Sequence, residues 1–144
     1  WHVVAMFAPS FFTGGLIQRF GMLKILSAGL LAYIVAIVMA LASDTFTHYF
    51  TALFLLGLGW NFLYIGGSTL VARVATAEER GRVQGAADLA TTSLVALASL
   101  TAGGLHSKFG WDVLVLSGCV PIGILACALV WFGFHQKGAP LAAS

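Results

Sequence analysis

Asp88 is the only acidic residue inside an apolar run of this sequence. An ionised carboxylate in hydrocarbon is costly, so the default reading of such a residue is functional. On a helical wheel, Gln84, Asp88, Thr91, Thr92 and Ser99 fall within about 100° of arc, which gives that run one face that is wet or buried in protein. In the preceding run, Gly57, Asn61, Tyr64 and Ser68 follow one another at spacings of 4, 3 and 4 and share a face. Asn61 and its neighbour Trp60 sit near mid-depth, where an amide without a partner is expensive.

Two chemistries follow. Asp88, with Gln84 and Thr92, is a candidate coupling or cleft site for a proton or ion; Trp60, Asn61, Tyr64 and Ser68 are candidates to line a small-molecule site. Each has a structural counterpart. Asp88 lies about 7–8 Å into a helix that begins near Val83, close enough to the N-terminus to gain from the dipole, and would then pair Arg82 or a basic residue elsewhere in the protein. Asn61 and Ser68 would serve as hydrogen-bonding glue between helices. Gly57, Gly59, Gly66 and Gly67 suit close packing or bending of their helix rather than ligand binding.

The elements that hold these residues are set by composition. Of 144 residues, 60% are hydrophobic and 8% charged, against about 45–50% and about 25% in soluble domains. This is the composition of a membrane protein, whose apolar helices pair their own backbone groups. Five apolar runs cover residues 1–16, 23–42, 49–74, 83–105 and 113–134. The first contains Pro9 and is shorter than the roughly 20 residues a span needs. With Trp1 rather than Met at its start, the chain is expected to lack an N-terminal part. The third is long enough to tilt or project. The tail, 135–144, is short and begins polar. A net charge of +2 points to no nucleic acid. Cys119 and Cys127 share one apolar run and read as small packing residues, and His2, His48, His106 and His135 stand at separate run ends, so no metal or cofactor site is expected. Thr76-Ala77-Glu78-Glu79 has capping-box spacing and should start a helical turn.

Basic residues orient the runs. Arg19, Lys24, Arg73, Arg80, Arg82 and Lys137 fall on one side and Lys108 alone on the other, which places the first and third loops and the C-terminus in the cytoplasm. Tyr49 and Trp111 then anchor the outer interface and Trp131 the inner one.

The sequence also repeats itself. Gly14-Gly15-Leu16-Ile17-Gln18-Arg19-Phe20-Gly21 returns 89 residues later as Gly103-Gly104-Leu105-His106-Ser107-Lys108-Phe109-Gly110. Both copies read G-G-L-x-x-basic-F-G, and each is expected to form the turn between two runs. Three crossings separate them, so they should lie on opposite sides of the membrane, as in the inverted repeats of secondary transporters. Residues 1–42 then hold two helices of one three-helix repeat and residues 43–134 the whole of a second.

These residues resemble the major facilitator superfamily of transporters, built of two six-helix halves, each from two inverted three-helix repeats. Gly14, Leu16, Arg19 and Gly21 match its signature G-x-L-a-D-R-x-G-R-K, a gating-loop motif between the second and third helices of a half; Gln18 replaces the acid, and Met22-Leu23 the second basic pair. Gly103, Leu105, Lys108 and Gly110 form the repeat copy. Glu79-Arg80-Gly81-Arg82 with Gly85 resembles the E-R-G-x-x-x-G that follows the tenth helix. Weakened signatures are usual in the C-terminal half, so the resemblance covers helices eight to twelve. It implies an all-α, polytopic inner or plasma membrane protein of five transmembrane helices here, partnered by the missing N-terminal half of the same chain and the lipid bilayer. That protein would move a small molecule by alternating access, as drug or metabolite efflux or nutrient uptake, coupled to protons or another ion. Because the family's tenth helix lines the central cavity and its eleventh the cleft between halves, the resemblance favours substrate contact for Asn61 and Tyr64. A stand-alone membrane assembly protein is the alternative. An intramembrane enzyme would need clustered His, Glu, Asp or Ser, and the runs offer only Asp88 and scattered hydroxyls.

Overall fold

The computed structural model describes residues 1–43 and 45–136, and the path is helical with no strand among them. The elements are α1 (His2–Phe7), α2 (Ser10–Phe20), α3 (Met22–Ala42), α4 (Phe46–Val74), α5 (Arg80–Ser117) and α6 (Cys119–Gln136). Long runs without charge leave the backbone no better option than to satisfy itself helically, and α3, α4 and the stretch from Arg80 to His135 are each long and apolar enough to cross a membrane. The fold is that of an all-α, polytopic membrane protein. Most of the expected tail, 137–144, and with it Lys137, lies outside the described residues.

Prolines and glycines divide the helices. Pro9 separates α1 from α2 while its own backbone stays helical (φ −67°, ψ −16°), because it has no N–H to donate to the preceding turn. Pro121 has the same effect on the Ser117 carbonyl, and α5 gives way to α6 at Gly118. The sharper breaks are at Gly21 (φ 92°) and Gly110 (φ 83°), the only positive-φ residues among those described. A side chain is strained there, so glycine is required.

This corrects the position of both turns. The first and fourth runs end at Leu16 and Leu105, with the rest of each motif expected as the turn; instead the helix continues through Phe20 in α2 and Phe109 in α5, and only the last glycine of each motif leaves it. Nothing in G-G-L-x-x-basic-F forbids a helix when the flanking runs favour one. Residues 80–109 and 111–117 are therefore two helices joined end to end at Gly110. With α1 and α2 taken as one pass bent at Pro9 and the last pass running on through Gly118, the helical passes number five among the described residues.

The core lies between α3 and α4. Ile17, Met22, Ile25, Leu26 and Leu129 form its buried centre. Glycines bring the backbones together, as small residues do between membrane helices. A Cβ on Gly59 would stand 2.9 Å from the Gly29 carbonyl oxygen, one on Gly57 2.5 Å from that of His2, and one on Gly66 2.6 Å from Leu26 Cδ2; Gly67 has open space instead. The second run, α3, thus buries Met22, Ile25, Leu26, Gly29, Ala32 and Ala36 and shows its other side, with Leu31 and Val38, to the exterior. By contrast α5 buries no residue, and Cys119 and Cys127 on α6 are exposed rather than packed.

Contacts at one end bring the aromatic anchors together. Trp111 lies edge-on to Tyr49 at 5.5 Å and its Nε1 donates to the Ala40 carbonyl at 3.3 Å, so the two rings share one depth. At the start of α5, the Glu79 amide donates to Thr76 Oγ1 at 3.3 Å, and the Thr76 hydroxyl donates to the Glu79 carboxylate at 2.8 Å. The threonine half of the capping box forms, while the glutamate takes the hydroxyl rather than the backbone amide.

Candidate functional site

Three helices enclose a cavity of about 390 Å³. From α4 come Trp60, Tyr64 and Ser68, with Leu63, Gly67 and Val71 between them; from α5 come Gln84, Ala87, Asp88 and Thr91; from α3 comes Tyr33. The volume falls within the roughly 300–1,000 Å³ of small-molecule sites, and the lining is the usual mixture of apolar wall and few polar groups.

The polar groups are tied together. The Tyr64 hydroxyl donates to Asp88 Oδ1 at 3.2 Å, and Gln84 Nε2 donates to Ser68 Oγ at 2.7 Å and to Asp88 Oδ1 at 3.3 Å. The i, i+4 step from Gln84 to Asp88 on α5 and from Tyr64 to Ser68 on α4 sets two rungs across the helix pair. Asp88 is half-buried and receives neutral donors; no cation pairs with it among the described residues. The expected pairing with Arg82 is not made. Because α5 begins at Arg80, three residues before the expected start, Asp88 lies about 12 Å along the axis, beyond the first turn in which a helix dipole acts.

Above this network the Trp60 and Tyr64 rings stack, with centroids 4.6 Å apart and planes 8° from parallel. Phe7 meets Trp60 edge-on at 5.8 Å. The cavity therefore presents a flat aromatic wall beside a hydrogen-bonding edge.

The structure thus brings together Trp60, Tyr64, Ser68, Gln84 and Asp88, and leaves out Asn61 and Thr92. Asn61 is fully buried and turned toward the break between α1 and α2. Its Nδ2 donates to the Met6 carbonyl and to Ser10 Oγ, both at 2.6 Å, and its Oδ1 faces the Thr13 hydroxyl at 2.6 Å. That hydroxyl also lies 2.9 Å from the Pro9 carbonyl, so its single proton serves one acceptor at a time. The reason Asn61 leaves the cavity is angular: it stands about 100° from Trp60 on the wheel, and the last-turn carbonyls of α1 need donors from outside that helix. Thr92 is exposed, and Thr91 takes the place on the cavity wall.

Tyr33, Leu63, Gly67, Val71 and Ala87 complete the lining without having been singled out by spacing. Tyr33 carried a usable signal, being the one polar side chain between Ser27 and Ser43. The signature residues lie elsewhere. Arg19, exposed on the last turn of α2, sits 5.3 Å over the Phe20 ring; Gly14 is exposed and Leu16 packs at the edge of the core. Gly103 and Lys108 are exposed and Leu105 half-buried on α5.

A family model, described as Major Facilitator Superfamily, matches residues 2–143. The chain belongs to the major facilitator superfamily. Among its relatives in that superfamily, the riboflavin transporter RfnT of Brucella anthropi is 46% identical over 114 residues, 79% of this chain and 29% of the relative. Two uncharacterized MFS-type transporters of Bacillus subtilis are similar over 91% of this chain: YddS is 31% identical over 139 residues, 30% of its length, and YdeG 32% identical over 137 residues, 31% of its length. The chain spans about three-tenths of the length of these curated relatives. No solved structure matches it. Membership of this superfamily places it in a family of membrane transporters.

Proposed function

We propose that the chain is the helix-eight-to-twelve region of a secondary transporter and that its cavity is one wall of the site carrying a planar, hydrogen-bonding small molecule across the cell membrane by alternating access. The observation that carries this reading is the stacked Trp60–Tyr64 pair beside the Tyr64–Asp88–Gln84–Ser68 network. An aromatic face next to several hydrogen-bonding groups suits a fused heteroaromatic ring, and the relative named as a riboflavin transporter makes riboflavin the first substrate to test. Asp88, paired with no cation among the described residues, is the group that couples transport to protons. The upstream half of the same chain supplies the facing wall.

The full-length protein, produced in a riboflavin-auxotrophic bacterium with no uptake system of its own, is expected to restore growth on external riboflavin and to accumulate the labelled vitamin. Absence of accumulation with the protein present in the membrane would remove riboflavin as substrate.

The matching backbone at Gly21 and Gly110 supports the division into two repeats at residues 1–42 and 43–134, with the two turns on opposite sides of the membrane. The C-terminus is then cytoplasmic. In full-length protein freed of Cys119 and Cys127, Thr47→Cys is expected to react with an impermeant thiol reagent from outside the cell. Labelling only from the cytoplasm would reverse the topology.

A further inference from the structure

We infer that Phe7, the last residue of α1, is a positioning residue of the substrate site, which holds the Trp60 ring in the stacked orientation that the transported molecule meets. The inference rests on the reading of the cavity as a substrate site and adds to it the element that aims its aromatic wall.

The first argument is how α1 is seated. A Cβ on Gly57 would stand 2.5 Å from the His2 carbonyl oxygen and 2.8 Å from Ala5 Cβ, so the start and middle of α1 lie directly on the bare α4 backbone there. One turn further along the same face of α4, Asn61 Nδ2 donates to the Met6 carbonyl at 2.6 Å and holds the end of α1. Asn61 is fully buried, and its other contacts, Ser10 Oγ and the Thr13 hydroxyl, lie on α2 beyond Pro9. Both attachments are made within this chain, and together they leave α1 one place against α4. Phe7 follows Met6 and Trp60 precedes Asn61, so the same attachments bring these two rings together. Their centroids are 5.8 Å apart and their planes 62° from parallel, within the range that edge-to-face pairs prefer.

The second argument is what orients each ring of the wall. Tyr64 is tied at its far end, where its hydroxyl donates to Asp88 Oδ1 at 3.2 Å. Trp60 is oriented by rings, with Tyr64 stacked on it at 4.6 Å and Phe7 edge-on. A stack alone lets a ring slide or turn over its partner, because offset arrangements differ little in energy; a third ring set at an angle removes that freedom. Phe7 is not among the residues that line the cavity, so its ring acts on the site through Trp60. At 57% exposure it also contributes little to the core, which separates its effect on the wall from an effect on the fold.

The test uses full-length protein in two arms. In the first, after reconstitution, Phe7→Leu is expected to raise KM for riboflavin about three- to tenfold, the size of one aromatic pair, while maximal velocity stays near that of the parent. Phe7→Tyr, which keeps the ring, is expected to keep the parent KM. Leucine preserves apolar bulk, so a residue that serves packing alone would leave KM unchanged in Phe7→Leu; that result overturns the inference and leaves the transporter reading standing. A fall in maximal velocity at unchanged KM overturns it as well. The second arm needs no substrate. In protein labelled with fluorotryptophan, the fluorine resonance of Trp60 is the one lost in Trp60→Phe. It is expected to be single in the parent and in Phe7→Tyr, and to broaden or split in Phe7→Leu as the ring takes up further orientations. A line that stays single and narrow in Phe7→Leu, whether or not it moves, overturns the inference whatever the substrate proves to be. A broadened line with no flavin transport by the parent supports Phe7 as the positioning residue and retires only the riboflavin assignment.

Discussion

Asp88→Asn in the full-length protein is expected to abolish accumulation of substrate against a gradient while leaving binding and substrate exchange largely intact. The amide keeps the shape of the carboxyl and can still accept from the Tyr64 hydroxyl and Gln84 Nε2, which both meet Oδ1. What it loses is the ability to change charge. In a membrane interior the charged carboxylate is expensive and the neutral acid is not. Asp88 accepts from two neutral donors that link α4 to α5, and no cation pairs with it among the described residues. The measurement is uptake by proteoliposomes with and without an imposed proton gradient, beside counterflow, which needs no gradient. Loss of counterflow together with uptake would make Asp88 a substrate ligand. Poor folded yield with normal transport by the surviving protein would make it structural.

Legibility in the sequence followed physical range. The five passes were readable because each is dictated by a long apolar run, and no tertiary contact is needed to choose helix when the surroundings are lipid. The end of a run was less readable. Ile17 to Phe20 reads as a turn because Gln18 and Arg19 interrupt the hydrophobicity, yet α2 continues to Phe20 and the chain leaves the helix only at Gly21. Trp60, Tyr64, Ser68, Gln84 and Asp88 were found because polar residues at i, i+3 and i+4 in an apolar helix must share a destination. Tyr33 was not, because α3 is otherwise uniform between Ser27 and Ser43 and nothing local shows which side of it meets a cavity rather than lipid. Its destination depends on Gly59, 26 residues further along the chain, which is a tertiary fact.

Asn61 shows the opposite error, and it sets a second large effect. It shares a stripe with Tyr64, but the stripe is about 60° wide between those two residues, enough to straddle the cavity on one side and α1–α2 on the other. Asn61→Ala is expected to destabilise the full-length protein rather than weaken its substrate affinity. The substitution leaves the Met6 carbonyl, otherwise met by Asn61 Nδ2 at 2.6 Å, without its donor at a part-buried site. A buried group so orphaned costs about 1–3 kcal/mol, or roughly five- to 150-fold in the ratio of folded to unfolded protein. Ser10 and Thr13 lose less, since Thr13 already has the Pro9 carbonyl within reach at 2.9 Å. Thr13→Val alone removes the donor to Asn61 Oδ1, and the double variant is expected to be less destabilised than the sum of the two single ones, as residues in one hydrogen-bonded cluster are. Thermal unfolding of the four proteins in detergent, with riboflavin binding measured on each, separates the alternatives. An unchanged melting temperature with weakened binding in Asn61→Ala would return this residue to the substrate site. Because the clamp also fixes α1, and Phe7 of α1 packs edge-on against Trp60, a modest loss of affinity is expected to accompany the loss of stability, and Thr13→Val should show both in the same proportion.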